Sequence, residues 1–307
     1  MARFRILYLW LSFVLGLLMT SGLVVESKSE AKKPLRFDQM GFARRKAVLE
    51  KAHKDEEKIS RRLQLLSVPF LNTPYVLSPL GEARGIDPDP RFRIDAFDCT
   101  TFVETAMVLA YRKDWSEAAD LLDHLRYNHD RIDFDHRRHL ITADWLPKLQ
   151  AEGLLSDITE KIAGKHTQKI TLALSKERWR KRRIAKALNL REEDIPFGRY
   201  SLPIVPIAKL RKKAKHIPSG TLINVVRVSS RYSPVIVTHQ GLFFRDNQGR
   251  EFIRHASPVA KRVIDESLSN MIRRYQKPRK WRVAGINFQS VNALNETESI
   301  SVVQSQR

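Results

Sequence analysis

A thiol, an imidazole to take its proton and a third group to orient that imidazole make a nucleophilic site that can open an amide bond. The chain carries one cysteine, Cys99, and nine histidines. Cys99 sits in Asp95-Ala96-Phe97-Asp98-Cys99-Thr100-Thr101-Phe102-Val103-Glu104. Asp98 is a natural N-cap, because its carboxylate can accept from the free N–H groups of a first helical turn. Beyond it Phe102, Val103, Ala106, Val108, Leu109 and Ala110 recur at helical spacing and mark a buried surface. Cys99 is therefore expected at a helix start, half out of the core. There the helix dipole should lower the thiol pKa and favour the thiolate. A small buried hydrophobe is the alternative fate of a lone cysteine.

Two histidines far downstream favour the chemical reading, and a β-hairpin has to position them. Val235 to Phe244 reads as a strand, 245–249 has turn chemistry, and Arg250 to Ser257 reads as the return strand. A five-residue loop pairs Phe244 with Arg250 and so sets His239 directly opposite His255, neighbours on one sheet face. A four-residue loop would slip the pairing by one and separate them. With Cys99 facing this pair, nucleophile, base and orienting group are all present.

These segments, Asp98-Cys99-Thr100-Thr101-Phe102-Val103, His239-x-Gly241 and His255-Ala256-Ser257, resemble the NlpC-type, papain-like cysteine hydrolases of bacterial cell walls. The closer resemblance is to the N-acetylmuramoyl-L-alanine amidase-like branch, through Phe97 to Glu104 and through Asp144-Trp145 after a basic, His-containing run. It covers about Phe70 to Val283. It implies an α+β, papain-like NlpC-type fold: a Cys-bearing helix packed on an antiparallel β-sheet, with extra N-terminal helices and a basic helical insertion.

The resemblance also implies that Cys99 attacks, that His239 moves the proton, and that His255 fixes the His239 tautomer. The bond it implies joins the lactyl group of N-acetylmuramic acid to L-alanine. Arg138, Asp144 and Trp145 are expected to border the cleft, with Trp145 offering a flat face to a sugar or merely packed. Tyr75 is a candidate for lining the groove, against an ordinary packed tyrosine. Glu104 either supports the site or is exposed. Gly220-Thr221 stands where many NlpC-type enzymes carry Gly-Asp, which puts the role of that aspartate in doubt here.

At 307 residues and 42% hydrophobic, the chain suffices for one sizeable domain with additions at its ends. One cysteine excludes a disulfide scaffold. A net charge of +21 favours polyanionic surroundings. Ile6 to Val25 is almost wholly apolar behind Met1-Ala2-Arg3-Phe4-Arg5, so residues 1–26 read as a signal peptide or membrane anchor. Residues 27–40 read as a linker, 41–288 as the hydrolase domain with 162–205 as its basic helical insertion, and 289–307 as a disordered tail. Within the domain, Ala43 to Leu66 reads as one charged helical stretch, Trp115 to Tyr127 as a second helix after the Cys99 helix, and Lys280 to Phe288 as a strand closing the sheet.

The Asp/His-rich run from Asp130 to His139 lacks CxxC or HExxH spacing, so no metal and no cofactor are expected. The expected protein is an exported, periplasmic or envelope monomer that acts on peptidoglycan or muropeptides and takes no nucleic acid. Three rivals remain open: a D,L-endopeptidase cutting after γ-D-glutamate, a non-catalytic wall-binding module, and a basic nucleic-acid binder.

Overall fold

A computed structural model describes residues 35–129, 131–180, 186, 188–230, 233–278 and 280–294. The apolar leader, most of the linker, residues 181–185 and 187 of the basic run, and the tail from 295 lie outside the described residues. Two helices, α1 (Phe42–Asp55) and α2 (Ile59–Leu66), replace the single stretch expected over Ala43 to Leu66. They part at Glu56-Glu57-Lys58, a run with no apolar residue. Arg62 then satisfies the freed carbonyls, its Nη1 donating to the oxygens of Glu56 (2.9 Å) and Glu57 (2.8 Å). α3 (Cys99–Tyr111) follows, and every residue of it from Thr101 onward is buried. A helix apolar all round belongs inside a molecule. α2, α4 (Trp115–Arg126) and the sheet enclose it.

The sheet consists of β1 (Leu155–Asp157), β2 (Gln168–Leu174), β3 (Gly198–Pro206), β4 (Thr221–Arg227), β5 (Val237–Arg245), β6 (Glu251–Ser257), β7 (Arg262–Ser267) and β8 (Val283–Val291). Its order is β2-β3-β8-β4-β5-β6-β7, with β1 also on β8, and its ladders are antiparallel. The expected α+β class with an antiparallel sheet is thus the observed one.

Three expectations are corrected. β8 does not close the sheet; it lies between β3 and β4, because nearly all its residues are buried and such a strand belongs in the middle. Gly285 allows this crossing, since a Cβ there would collide with the Val205 carbonyl. Residues 162–205 are not a helical insertion: they contain β2 and β3, strands of the main sheet, and the short α7 (Lys176–Arg180). Ile170, Leu172 and Leu174 alternate with their neighbours, the period of a strand. Residues 289–291, assigned to the tail, complete β8.

Leu222, Val226, Leu242, Phe244 and Ala256 join the α1–α4 core on one side of the sheet. Ile223, Val225, Phe243 and Ile253 form a second core with Met271, Ile272 and Tyr275 of the last helix. That helix, Leu268–Gln276, becomes α9 once α5 (Leu146–Ala151), α6 (Thr159–Ala163) and α8 (Leu210–Lys213) are counted.

Candidate active site

Asp98 caps α3 as its side chain requires. Oδ1 accepts from the N–H groups of Thr100 (3.1 Å) and Thr101 (2.8 Å) and from the Thr101 hydroxyl (2.9 Å). Oδ2 accepts from the Ser78 N–H at 3.1 Å. Cys99 is the first residue of the helix and is half-buried. The next side chain, Thr100, donates to Gln240 Oε1 at 2.8 Å. Gln240 Nε2 donates to Asn224 Oδ1 (2.8 Å), Asn224 to Asn287 Oδ1 (3.0 Å), and Asn287 to Asp157 Oδ2 (2.7 Å). This buried row of amides runs beneath the start of α3 and fixes Gln240 against it. Each link is satisfied, which is the condition under which a buried polar network rigidifies a fold.

The sulfur therefore meets β5 at Gln240, the residue after His239. The backbone N–H of Gln240 faces it, as do the Thr100 hydroxyl and the N–H of Cys99 itself. Among the described residues, it forms no hydrogen bond to either imidazole. Burial pushes the thiol up to about 12, and the adjacent Asp98 charge adds to this, outweighing the three donors. The expectation of a dipole-activated thiolate is thus corrected. The carboxylate that starts the helix also repels a second anion beside it.

His239 Nε2 lies 2.7 Å from His255 Nδ1, with the two rings edge-to-face. The expected register does not produce this contact. Phe244 pairs with Phe252 and Arg245 with Glu251, so the five loop residues are 246–250 and the ladder is shifted by two. A shift of two keeps both histidines on one face but makes them diagonal neighbours. The residue opposite His255 on this register is Gly241. A Cβ on Gly241 would lie 3.0 Å from His255 Cβ and 2.7 Å from Ile253 Cγ2, so the glycine leaves room for the His255 ring to lean towards His239. The β4–β5 ladder also slips at Thr238, beside His239: Val225 pairs with His239, but Val226 pairs with Val237. A bulge of this kind turns the strand and re-aims the side chain next to it.

Behind His255 stands a carboxylate that sequence reasoning missed. Glu266 of β7 places Oε2 3.3 Å from His255 Nε2, too poorly aligned for a hydrogen bond. Arg274 of α9 grips Glu266 with two contacts, 3.0 Å and 2.5 Å. Burial alone would push the Glu266 carboxyl up; the contacts with His255 and Arg274 outweigh it and hold it at about 2. No sequence motif marks Glu266. Its role needs the β6–β7 register and Arg274 of α9, eight residues further on.

The fixed negative charge favours a proton on His255 Nε2. Nδ1 of His255 then accepts from His239 Nε2–H, and Nδ1 of His239 is left unprotonated. Burial, with His255 and Arg274 adding, lowers the His239 pKa well below its ordinary value, so the ring is neutral at pH 7.

Of the other expected residues, Tyr75 is half-buried and bridges to Phe97. Burial, then the charges of Cys99 and Asp98, push its phenol up to about 12, which places it near the sulfur. Arg138 is buried, donates to Asn128 Oδ1 (3.0 Å) and the His124 carbonyl (2.5 Å), and stands 3.8 Å from Asp144. Trp145 is corrected: at 1% exposure it is core and offers no face to a sugar. Of the two readings of Glu104, exposure is excluded, since the residue is buried.

A family model described as AmiA-like, N-acetylmuramoyl-L-alanine amidase-like, matches residues 65–278. Among solved structures, a Legionella pneumophila protein assigned to DUF1460 is 24% identical, with a TM-score of 0.68 over 81% of this chain and 95% of that one. An N-acetylmuramoyl-L-alanine amidase from Bacteroides uniformis is 24% identical, TM-score 0.60, over 76% of this chain and 99% of that one. A Bacteroides fragilis protein described as a candidate xylanase is 26% identical, TM-score 0.57, over 73% and 97%. No curated protein matches the chain in sequence.

Proposed function

The chain belongs to the AmiA-like, N-acetylmuramoyl-L-alanine amidase-like family, and on that basis we propose that it is an exported peptidoglycan hydrolase. In this reading it is a cysteine amidase of the NlpC-type, papain-like kind. It cleaves the amide between the lactyl group of N-acetylmuramic acid and L-alanine. The observation that carries the reading is the juxtaposition of Cys99, at the head of α3, with the strand residue that follows His239, backed by His255 and Glu266.

Cys99 Sγ attacks the amide carbonyl and its proton passes to His239 Nδ1. The same proton goes to the leaving amine as the C–N bond breaks, which leaves a thioester. His239 then takes a proton from water as that water attacks the thioester, and returns it to the departing Cys99 sulfur as the acid is released, which restores the thiol and the neutral ring. Burial disfavours thiolate and imidazolium separately, so the resting site is a neutral thiol beside a neutral ring. Proton transfer is then coupled to attack rather than completed before it. Hydrogen bonds at catalytic sites commonly tighten only when substrate is bound. The oxyanion is received by the Cys99 N–H, which the Asp98 cap leaves free, and by the Tyr75 phenol, a neutral donor at pH 7. A glycosidase would instead need two carboxyl groups flanking a sugar bond. The carboxylate next to Cys99, Asp98, is taken up in capping α3.

The net charge of +21 suits an anionic wall, and the apolar run 6–25 suits export or anchoring. The test is mass spectrometry of defined muropeptides treated with wild type and Cys99→Ser. Intact free stem peptides from wild type alone support the amidase. Release of L-Ala-γ-D-Glu from free stems would move the activity to a D,L-endopeptidase. Equal inertness of the two proteins, with wall binding retained, would make it a binding module.

A further inference from the structure

The chemistry above gives no role to a group of apolar side chains beside the head of α3. Val76, Leu77 and Val259 are 43%, 75% and 80% exposed, and Pro74 and Pro258 beside them are exposed too. The two segments that carry them are paired. The Asn72 N–H donates to the Val263 carbonyl, the Val263 N–H to that of Thr73, and the Tyr75 N–H to that of Lys261, each at 2.9 Å. Pro74 bridges antiparallel to Arg262. Leu77 and Val259 therefore leave this pairing at the same end. Their exposure is not fraying. The Val76 N–H donates to the Phe97 carbonyl at 3.0 Å, and the Ser78 N–H to the Asp98 carboxylate at 3.1 Å. Across the pair, Val259 sits in the turn between β6 and β7, which Ser257 Oγ holds by accepting from the Ala260 N–H at 3.1 Å.

Single apolar residues on a surface need no explanation, but a rigid group of them does. Lys261 and Arg262 stand beside this one, exposed and without an ion-pair partner among the described residues. Leucine, valine and proline side chains offer no hydrogen bond, so a glycan or peptide rich in hydroxyls and amides gains little from them. A layer of anionic headgroups over acyl chains matches both the apolar tips and the cations. The chain also arrives here. Leu35 is the first described residue, and the next, Arg36, donates from Nη1 to the Asn72 carbonyl at 3.3 Å, on the segment that leads to Leu77. Residues 26–34 join Leu35 to the apolar run 6–25; they carry Lys28, Lys32 and Lys33 and can reach at most about 30 Å.

We propose that this rim docks on an anionic lipid bilayer, with Leu77 and Val259 inserted at the headgroup level and Lys261 and Arg262 on lipid phosphates. Which membrane it meets depends on reading 6–25 as an anchor; the amidase reading is not needed. Because the Leu77 segment is bound to the Asp98 cap, docking holds the head of α3 at the bilayer face.

The test uses the full chain reconstituted in vesicles of phosphatidylglycerol and phosphatidylcholine with brominated acyl chains. Cys99 is the sole cysteine, so a Cys99→Ala chain with Val259→Cys takes one fluorophore. A Cys99→Ala chain with Gln248→Cys is the reference, since position 248 is exposed in the turn at the other end of β6. Bromolipid is expected to quench the fluorophore at position 259 about threefold more than the one at 248. Leu77→Asp with Lys261→Glu, both on exposed side chains, should bring the quenching at 259 down to that at 248. Equal quenching at the two positions, or a difference that survives both substitutions, overturns the proposal. So does emission at 259 that is already shifted without lipid and reverts on dilution, which assigns the rim to a second copy of the chain. Muropeptide that shields position 259 from iodide without lipid overturns it as well, in favour of substrate. A chain that floats with the vesicles while 259 stays in water keeps the anchor and sinks the docking. Failure of the amidase reading would leave these readings unchanged, because they report depth and not turnover.

Discussion

Replacing Glu266 by glutamine tests the charge chain behind the two histidines. Glu266 is 12% exposed at its side chain, lies 3.3 Å from His255 and is held twice by Arg274. Its carboxyl is held at about 2 against an ordinary 4.5. At about 1.4 kcal/mol per tenfold, that difference corresponds to about 3 kcal/mol of native-state stabilisation by the charged form. The native pKa is depressed, so this stability is fully present above the unfolded value. It is lost as pH falls from about 5 through about 2. Glutamine keeps the shape and an acceptor oxygen but not the charge.

The expected result is a variant less stable by about 1–3 kcal/mol at pH 7. The gap to wild type should close progressively below pH 5. Chemical denaturation at pH 7, 5, 4 and 3 reads it directly. Amide hydrolysis should fall about 10–100-fold, the usual range when a group that orients a catalytic imidazole is lost. A stability gap that stays constant from pH 7 to pH 3 would refute the electrostatic argument. Full activity in Glu266→Gln would show that His255 needs no carboxylate behind it.

Iodoacetamide should label Cys99 slowly at pH 6–8 and faster as pH rises towards the raised thiol pKa, so rapid labelling at pH 6 would contradict a thiol held neutral in a half-buried position. Because His239 is held well below its ordinary pKa, hydrolysis should persist into mildly acidic solution and fall only as that ring protonates; an acid limb centred at 6.5 or above in the pH–rate profile would oppose this. Gly241→Ala brings a methyl to 2.7 Å from Ile253 Cγ2 and 3.0 Å from His255 Cβ, so we expect about 1–3 kcal/mol of destabilisation and a larger proportional loss of activity as His255 is displaced, measured by denaturation and turnover on the same preparation. Thr100→Val removes the hydroxyl that joins α3 to the buried amide row; it should cost about 1–3 kcal/mol and mobilise Gln240, visible as faster amide hydrogen exchange along β5.

Local chemistry was legible in the sequence. Asp98 before an apolar helical run could only cap α3, and that alone put Cys99 at the first turn. Hydrophobic period gave the strands of the hairpin that carries His239 and His255 to within a residue or two, and the spacing of the two histidines kept them on one face. The failures were failures of register, burial and charge. Nothing local tells a loop of 245–249 from one of 246–250, yet that choice moved the ladder by two and made Gly241, not His239, the partner of His255. An isolated helix start attracts a thiolate; only the packed structure shows the burial and the Asp98 charge that push the thiol the other way. Trp145 and Glu104 have polar groups that suggest a surface, but the tertiary core encloses both.

Glu266 and Arg274 carry no signature, because each acquires its meaning from the β6–β7 register and the packing of α9, which no local pattern fixes. The amino-acid order by itself determined which groups could do chemistry and which helix and strands would carry them, since capping and side-chain period act over a few residues. Tertiary structure decided which of those groups meet, and in which protonation state, since contact and dielectric environment are set by strands and helices that only packing brings together, whether neighbours in the chain like β6 and β7 or as far apart as α3 and β5.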